Sequence, residues 1–245
     1  MEKTNMTTLS IKAKLLIAVV VVSSLAVLGK ALSDWGQVHD YTRFAAYLLV
    51  AMIAARFRVS LPKMTGSMSV NLPFILLALI ELSLVEALII AAASTFVQCF
   101  WPESKKRNMV HVVFNVAVLA IAAQLTWLAM RAEAQNATLA IVVGALTVLI
   151  ANTMPVAAII AVTENGQAAR IWMQIVRLTF PYYMLAAGIA GLVKLANYAV
   201  GWQVPLFILP AMLLVYRSYT TYFHQLSDFA TMSGSGAMAA KAGSH

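Results

Sequence analysis

Charge is what this sequence has least of. Only 11% of its 245 residues are Asp, Glu, Lys or Arg, against 62% hydrophobic. An ordinary soluble domain is about 25% charged. A soluble fold of this length could not cover its apolar surface with so few polar groups, so a water-soluble globule is excluded. Cysteine is nearly absent. Cys99 stands alone, which excludes an intramolecular disulfide and a cysteine-rich metal site. Recognisable catalytic motifs are missing as well. There is no P-loop, dinucleotide-binding glycine fingerprint, HExxH or GxSxG. The four His residues are scattered. His39 beside Asp40 makes a weak metal pair, and the reading is no catalytic residue, no metal centre and no enzyme. The cofactor, if any, is not legible.

What is present is long apolar runs, with a mean hydropathy of +0.83. Runs of about 18 or more apolar residues can each cross ~30 Å of hydrocarbon. Lys and Arg outnumber Asp and Glu by 17 to 9. The excess sits in loops beside the runs, so it points to membrane topology rather than to nucleic acid. The polar N-terminal stretch MEKTNMTTLSIKAK leads into a run without a small-residue cleavage site, which predicts a retained first span.

The predicted spans are about 14–31, 41–57, 109–130, 138–162, 181–198 and 202–223. A loop, RVSLPKMTGSMSVN, follows the second, with Pro, Gly and Ser against a helix. The block 72–101 is too long for one crossing and carries Glu81 and Glu86 near its middle. An ionised carboxylate at a span centre costs roughly 2.5–3.5 kcal/mol on insertion scales. Basic residues flank both ends: Arg56, Arg58 and Lys63 before it, Lys105, Lys106 and Arg107 after it. If both flanks are cytoplasmic, the block crosses twice, as two short helices (71–82 and 84–100) hinged at the glutamates. The first helix either spans or is re-entrant. Segment 167–178 is basic and amphipathic and predicts a separate interfacial helix.

The expected architecture is therefore an all-α polytopic transmembrane bundle. It has about eight crossings, a broken helix pair at 71–100 and both termini cytoplasmic. The domain division is 1–228 for the bundle and 229–245 for a flexible small-residue tail. The basic residues divide between the two sides as the positive-inside rule asks. A seven-span alternative, with one long third helix, would put one flanking cluster outside.

Polar groups inside spans are the candidate ligand-binding residues. Glu81 and Glu86 beside a helix break could share a proton or hold a cation, or else touch water at the outer surface of a hairpin. Asn115 and Asn152 must find partners at depth, which usually means helix–helix hydrogen bonds; the alternative is a solute-facing role. Asn71 with Pro73 reads as a helix cap, or as a half-helix N-terminus facing a cavity. Gln98, His111 and Gln124 rank lower, and Lys194 reads as snorkelling to the interface. The stretches Ala91–Ser94 and Ala186–Gly191 allow close helix approach.

Two passages resemble a known family. FRVSLPKMTGSMSVNLPFILLALIELSLVEALIIAAASTFVQCFW and PLFILPAMLLVYRSYTTYF resemble the N-terminal membrane-sensor region of bacterial HD-GYP and GGDEF signalling proteins. The second passage resembles their last span, where Tyr-Arg-Ser-Tyr leads into a cytoplasmic linker. The resemblance runs to about Asp228 and implies a multi-pass module of the bacterial inner membrane. Such a module would work through the lipid bilayer and a protein partner, with no nucleic acid. After HQLSDF the chain departs from that family, having no HD pair and no GGDEF loop, so the expectation is a sensor module without its output domain. A weaker likeness, in the order of loop, short helix, break and short helix, is to the substrate-binding S-components of energy-coupling-factor vitamin transporters. There the Gly-rich break is replaced by ELSLVE. The expected functions are a stand-alone sensor-like or small-molecule-binding module, a solute-transporter component, or an accessory subunit of a larger membrane complex.

Overall fold

The computed structural model describes residues 10–33, 40–60, 67–100, 109–200, 203, 208–222 and 225. The 229–245 tail, the 102–108 loop with its basic cluster, Lys63 and His39 lie outside the described residues. Within them the chain is helical, with eight helices and one small sheet.

Helix α1 covers Ile11–Ser33 and α2 covers Tyr41–Ala55. The side chain of Asp40 caps α2 by accepting from the Arg43 backbone N–H at 3.0 Å. Next come β1 (Arg58–Ser60) and β2 (Ser67–Ser69), which pair antiparallel with Val59 opposite Met68. Here the structure corrects the expected irregular loop. Three-residue strands are too short to show an alternating pattern in the sequence, but Val59 and Met68 are buried as a pair and hold the ribbon on the bundle.

The long apolar block divides as α3 (Leu72–Glu81) and α4 (Leu84–Phe100). The backbone turns extended at Leu82, whose N–H still bonds to the Ala78 carbonyl at 2.9 Å. Helix α3 has no polar residue from Leu72 to Ile80, and a helix that is apolar all round belongs in an interior. Every residue from Leu72 to Leu79 is buried. Its ten residues span about 15 Å.

Helices α5 (Met109–Ala132) and α6 (Ala137–Glu164) form an antiparallel hairpin. Asn136 caps the start of α6, and Asn165 ends it in the left-handed conformation at φ 52°. The two helices approach closely at Gly144, where a Cβ would lie 2.7 Å from Met130 Cγ.

Helix α7 runs unbroken over Ala168–Val200. The separate interfacial helix and following span expected for this stretch are one 33-residue helix, passing through Pro181. Pro181 has no N–H for the carbonyl four residues back. Packing outweighs that loss: Ile175, Tyr182, Tyr183, Ala186 and Ala190 form one buried stripe across the proline. The amphipathic start is as read, with Arg170 and Arg177 exposed and Ile175 buried. Helix α8 covers 208–222.

Four helices, α1, α5, α6 and α7, are long and apolar enough to cross a membrane. On α1, Ile11, Leu15, Val19, Val22 and Leu25 are all exposed, which suits contact with lipid. The main core gathers around α3, from α2, α4, α5, α6, α7 and α8.

Candidate functional site

The polar chemistry collects at the two ends of α3. At the N-terminal end, Asn71 occupies the cap position, but its side chain does not cap. Its carbonyl takes that part, accepting from Phe74 and Ile75 N–H at 3.1 and 3.2 Å. The amide is spent across the bundle. Nδ2 donates to Ser94 Oγ on α4 at 3.0 Å, and Oδ1 accepts from Ser69 Oγ of β2 at 2.6 Å. Ser69 Oγ also lies 2.8 Å from the Gln98 side-chain amide. One hydroxyl has one hydrogen, so the Gln98 amide satisfies this contact by turning its NH2 toward Ser69.

Tyr182 of α7 closes the network. Its hydroxyl donates to the Ser69 carbonyl at 2.8 Å and accepts from the Leu72 N–H at 3.3 Å. The Leu72 N–H is one of the orphan donors of the helix start, so a residue 110 positions away completes the α3 terminus. Arg58 Nη1 donates to the Gln98 carbonyl at 2.9 Å. That places a cation at the negative end of α4. Aromatic contacts extend the cluster to α8: Tyr219 stands edge-on to Tyr182 at 6.1 Å, and Tyr216 packs on Phe57 at 5.6 Å.

The C-terminal end of α3 is charged. Arg43 Nη2 and the Tyr47 hydroxyl both donate to Glu81 Oε2, the latter at 2.6 Å. Arg43 and Tyr47 are one turn apart and share a face of α2. Within the break, Ser83 forms a reciprocal capping box with Glu86 of α4. Glu86 Oε2 accepts from the Ser83 N–H at 2.9 Å and from its hydroxyl at 2.6 Å, while Ser83 Oγ lies 3.4 Å from the Glu86 N–H. Glu86 is 3% exposed, so the reading that places it in water at a hairpin surface does not hold. Its other oxygen, Oε1, is buried without a hydrogen-bond partner, as is Arg43 Nε.

The remaining candidates are elsewhere. Asn115 Nδ2 sits 3.6 Å from Cys99 Sγ, joining α5 to α4. Asn152 Nδ2 donates to the Tyr183 hydroxyl at 2.8 Å, joining α6 to α7. Asn71, Glu81, Asn115 and Asn152 thus each serve a different helix contact. His111 and Lys194 are exposed. Among the described residues no cluster of three or more His, Cys, Asp or Glu could hold a metal ion.

Sequence reading missed Arg43, Tyr47, Ser69, Ser83, Ser94 and Tyr182 as site residues. Only Ser83 carried a local signal, the Ser-Leu-Val-Glu spacing of a capping box. No protein-family model, curated protein or solved structure matches this chain.

Proposed function

We propose that the chain is a multi-pass membrane module that binds a small molecule and passes the binding event to a partner protein through α8. The observation that carries this reading is the route from the N-terminal end of α3 to α8. Asn71, Ser69 and Ser94 form one buried network, Tyr182 bonds into it, and Tyr219 of α8 packs on Tyr182. A ligand that favours one arrangement of this network biases the position of α8, provided it binds the two arrangements unequally. The helix α8 is the segment that resembles the last span of bacterial membrane sensors, which supports the direction of the signal.

The topology proposed with it has eight crossings and both termini on the cytoplasmic side of a bacterial inner membrane. Two contacts support it. Arg43 near the start of α2 meets Glu81 at the end of α3, and Arg58 after α2 meets the end of α4. Helices α2, α3 and α4 therefore alternate in direction, which supports an inner position for Arg56 and Arg58 in this topology. Introduced cysteines test it: labelling of residues 102–108 only from outside would rule it out.

The functional reading is tested by thermal-shift screening of the protein in nanodiscs with vitamins, quinones and lipids. At least one class is expected to raise the melting temperature, and Tyr219→Leu to leave that rise intact while uncoupling any partner. No stabilisation by any class overturns the proposal. A transport component would be expected to line one sealed cavity with Asn71, Glu81, Asn115 and Asn152, and their dispersal over separate helix contacts weighs against it. An accessory subunit remains the reading to adopt if the protein co-purifies with other chains at fixed stoichiometry.

A further inference from the structure

The first turns of α7 carry positive charge without a counter-ion among the described residues. Helix α7 has no Asp or Glu from Ala168 to Val200, while Arg170 and Arg177 are both exposed. Among the described residues neither guanidinium has an ion pair or a hydrogen bond. Glu164, at the end of α6, is the acidic residue closest in sequence, and it pairs with neither. The two arginines are seven residues apart, which puts them about 20° apart around the helix and about 10 Å apart along it. Gln174, also exposed, lies between them on the same face.

The depth of this stripe follows from the other end of the helix. A Cβ on Gly191 would lie 3.6 Å from Ile141 Cδ1, so that part of α7 stands beside the start of α6. Lys194, exposed about one turn further on, marks the same edge of the bilayer. Counting back ~30 Å of hydrocarbon from there, about 20 residues, reaches Gln174. Arg177 then sits about one turn inside that boundary and Arg170 about one turn outside it. Both long side chains reach headgroup level, from opposite sides.

We propose that Arg170, Gln174 and Arg177 form a clamp for the phosphate of one anionic phospholipid. Guanidinium groups bind phosphate oxygens through paired N–H donors, and the Gln174 amide adds a further donor between them. The clamp keeps its spacing because the helix is held upright. Trp172 Nε1 donates to Thr153 Oγ1 of α6 at 3.0 Å, and Ile175 and Thr179 are buried. The stripe is therefore part of a fixed helix, not of a segment free to lie along the surface. The acyl chains have a place as well. Phe180 follows Arg177 on the exposed face, and Leu185 and Leu192 continue it toward the far side. A soluble phosphate would use the arginines but not this apolar track, and a lipid uses both. The choice of leaflet rests on the proposed topology. The site does not rest on the sensory reading, because it would hold its lipid whether or not α8 carries a signal.

The test is lipid retention by the full chain in a neutral detergent, read by native mass spectrometry after delipidation and addition of phosphatidylglycerol or phosphatidylcholine. One phosphatidylglycerol per chain is expected to bind saturably. Phosphatidylcholine should bind about tenfold more weakly, because its choline cancels the charge that the arginines answer. Arg170→Gln and Arg177→Gln are each expected to weaken phosphatidylglycerol about tenfold. Lys12→Gln removes an equal charge from the exposed start of α1 and should leave binding within about twofold. Equal retention of the two lipids overturns the proposal. So does an equal loss in Lys12→Gln, which would assign the effect to diffuse charge, or an effect of only one arginine, which would leave no clamp. Displacement of the lipid by millimolar inorganic phosphate would assign the arginines to a soluble anion and overturns it too. Both arginines are exposed, so the variants are expected to fold. If either does not, the lipid preference of the unaltered protein and its resistance to phosphate decide.

Discussion

The two ends of α3 solve the same problem in opposite ways. Both must bring polar groups into an apolar interior. The N-terminal end does so with neutral groups, Ser69, Asn71, Ser94, Gln98 and Tyr182, tied to one another across four elements. The C-terminal end uses ionisable groups, Arg43, Glu81 and Glu86, and leaves Arg43 Nε and Glu86 Oε1 unmatched. A satisfied neutral network stiffens a core and specifies one arrangement. A charged cluster in an apolar interior is costly unless its charges are paired. The first end thus ties neighbouring helices together through neutral bonds, while the second holds its charges through an ion pair and a capping box.

The largest effect should come from breaking the charged end. Arg43→Ala strands Glu81, whose side chain is 8% exposed. Removing one partner of a fully buried pair costs about 3–5 kcal/mol, and the partial exposure of Arg43 reduces that to roughly 2–3 kcal/mol. Adding Glu81→Gln should recover most of the loss, because the stranded charge rather than the missing bond dominates. Unfolding in bicelles measures both. If Arg43→Ala costs the same in the Glu81→Gln background, the two do not act as a pair.

Second is Asn71→Leu at the neutral end. It removes one bond from each of the hydroxyls of Ser69 and Ser94, which keep the Gln98 amide and the Ala91 carbonyl respectively. Two buried hydrogen bonds at about 0.5–1.5 kcal/mol each are lost, so a loss of about 2 kcal/mol is expected. Here no second substitution of opposite charge can rescue the fold, which separates this end from the other. Hydrogen exchange should also accelerate at Val59 and Met68, because Ser69 anchors the ribbon.

How much of this was legible depends on how far the signal travels along the chain. The helix pair at 71–100 was readable because a 30-residue apolar block with two internal glutamates has few alternatives. The Ser83–Glu86 box leaves a local signal too, which the sequence reading missed, since capping is decided within four residues. The role of Asn71 was legible only in part. Asn before Pro predicts a cap, but Ser94, 23 residues on, captured its amide. The Arg43–Glu81 and Leu72–Tyr182 contacts span 38 and 110 residues and follow from packing alone. The continuity of α7 was misread for a related reason. The basic, amphipathic start at 167–178 reads locally as a separate interfacial helix, and a stripe of buried Tyr and Ala carries the same helix on through Pro181.

Third in size is Tyr182→Phe. It keeps the ring against Tyr219 and removes only the hydroxyl, so the Ser69 carbonyl and Leu72 N–H lose one partner each. A loss of about 1 kcal/mol is expected. The informative comparison is with Tyr219→Leu, which removes the aromatic contact and keeps the bonds. If the network is the route to α8, Tyr182→Phe should loosen the ribbon amides and Tyr219→Leu should loosen α8. Identical exchange patterns for the two would dissolve the distinction between anchoring and coupling.

The smallest effects belong to the two asparagines outside both ends. Asn152→Ala loses one bond to Tyr183, worth about 0.6 kcal/mol in a membrane bundle. Asn115→Ala should cost less, about 0.5 kcal/mol or below, because a thiol is a weak acceptor at 3.6 Å. Their double mutant carries the sharper result. Residues in separate contacts without shared partners add within roughly 0.3–0.5 kcal/mol. Asn115 bonds α5 to α4 and Asn152 bonds α6 to α7, so the two losses should simply sum. The same sum is expected when either is combined with Asn71→Leu. A coupling of 1 kcal/mol or more between any two of them would join these residues into one cavity and restore the transport reading that their separate partners now oppose.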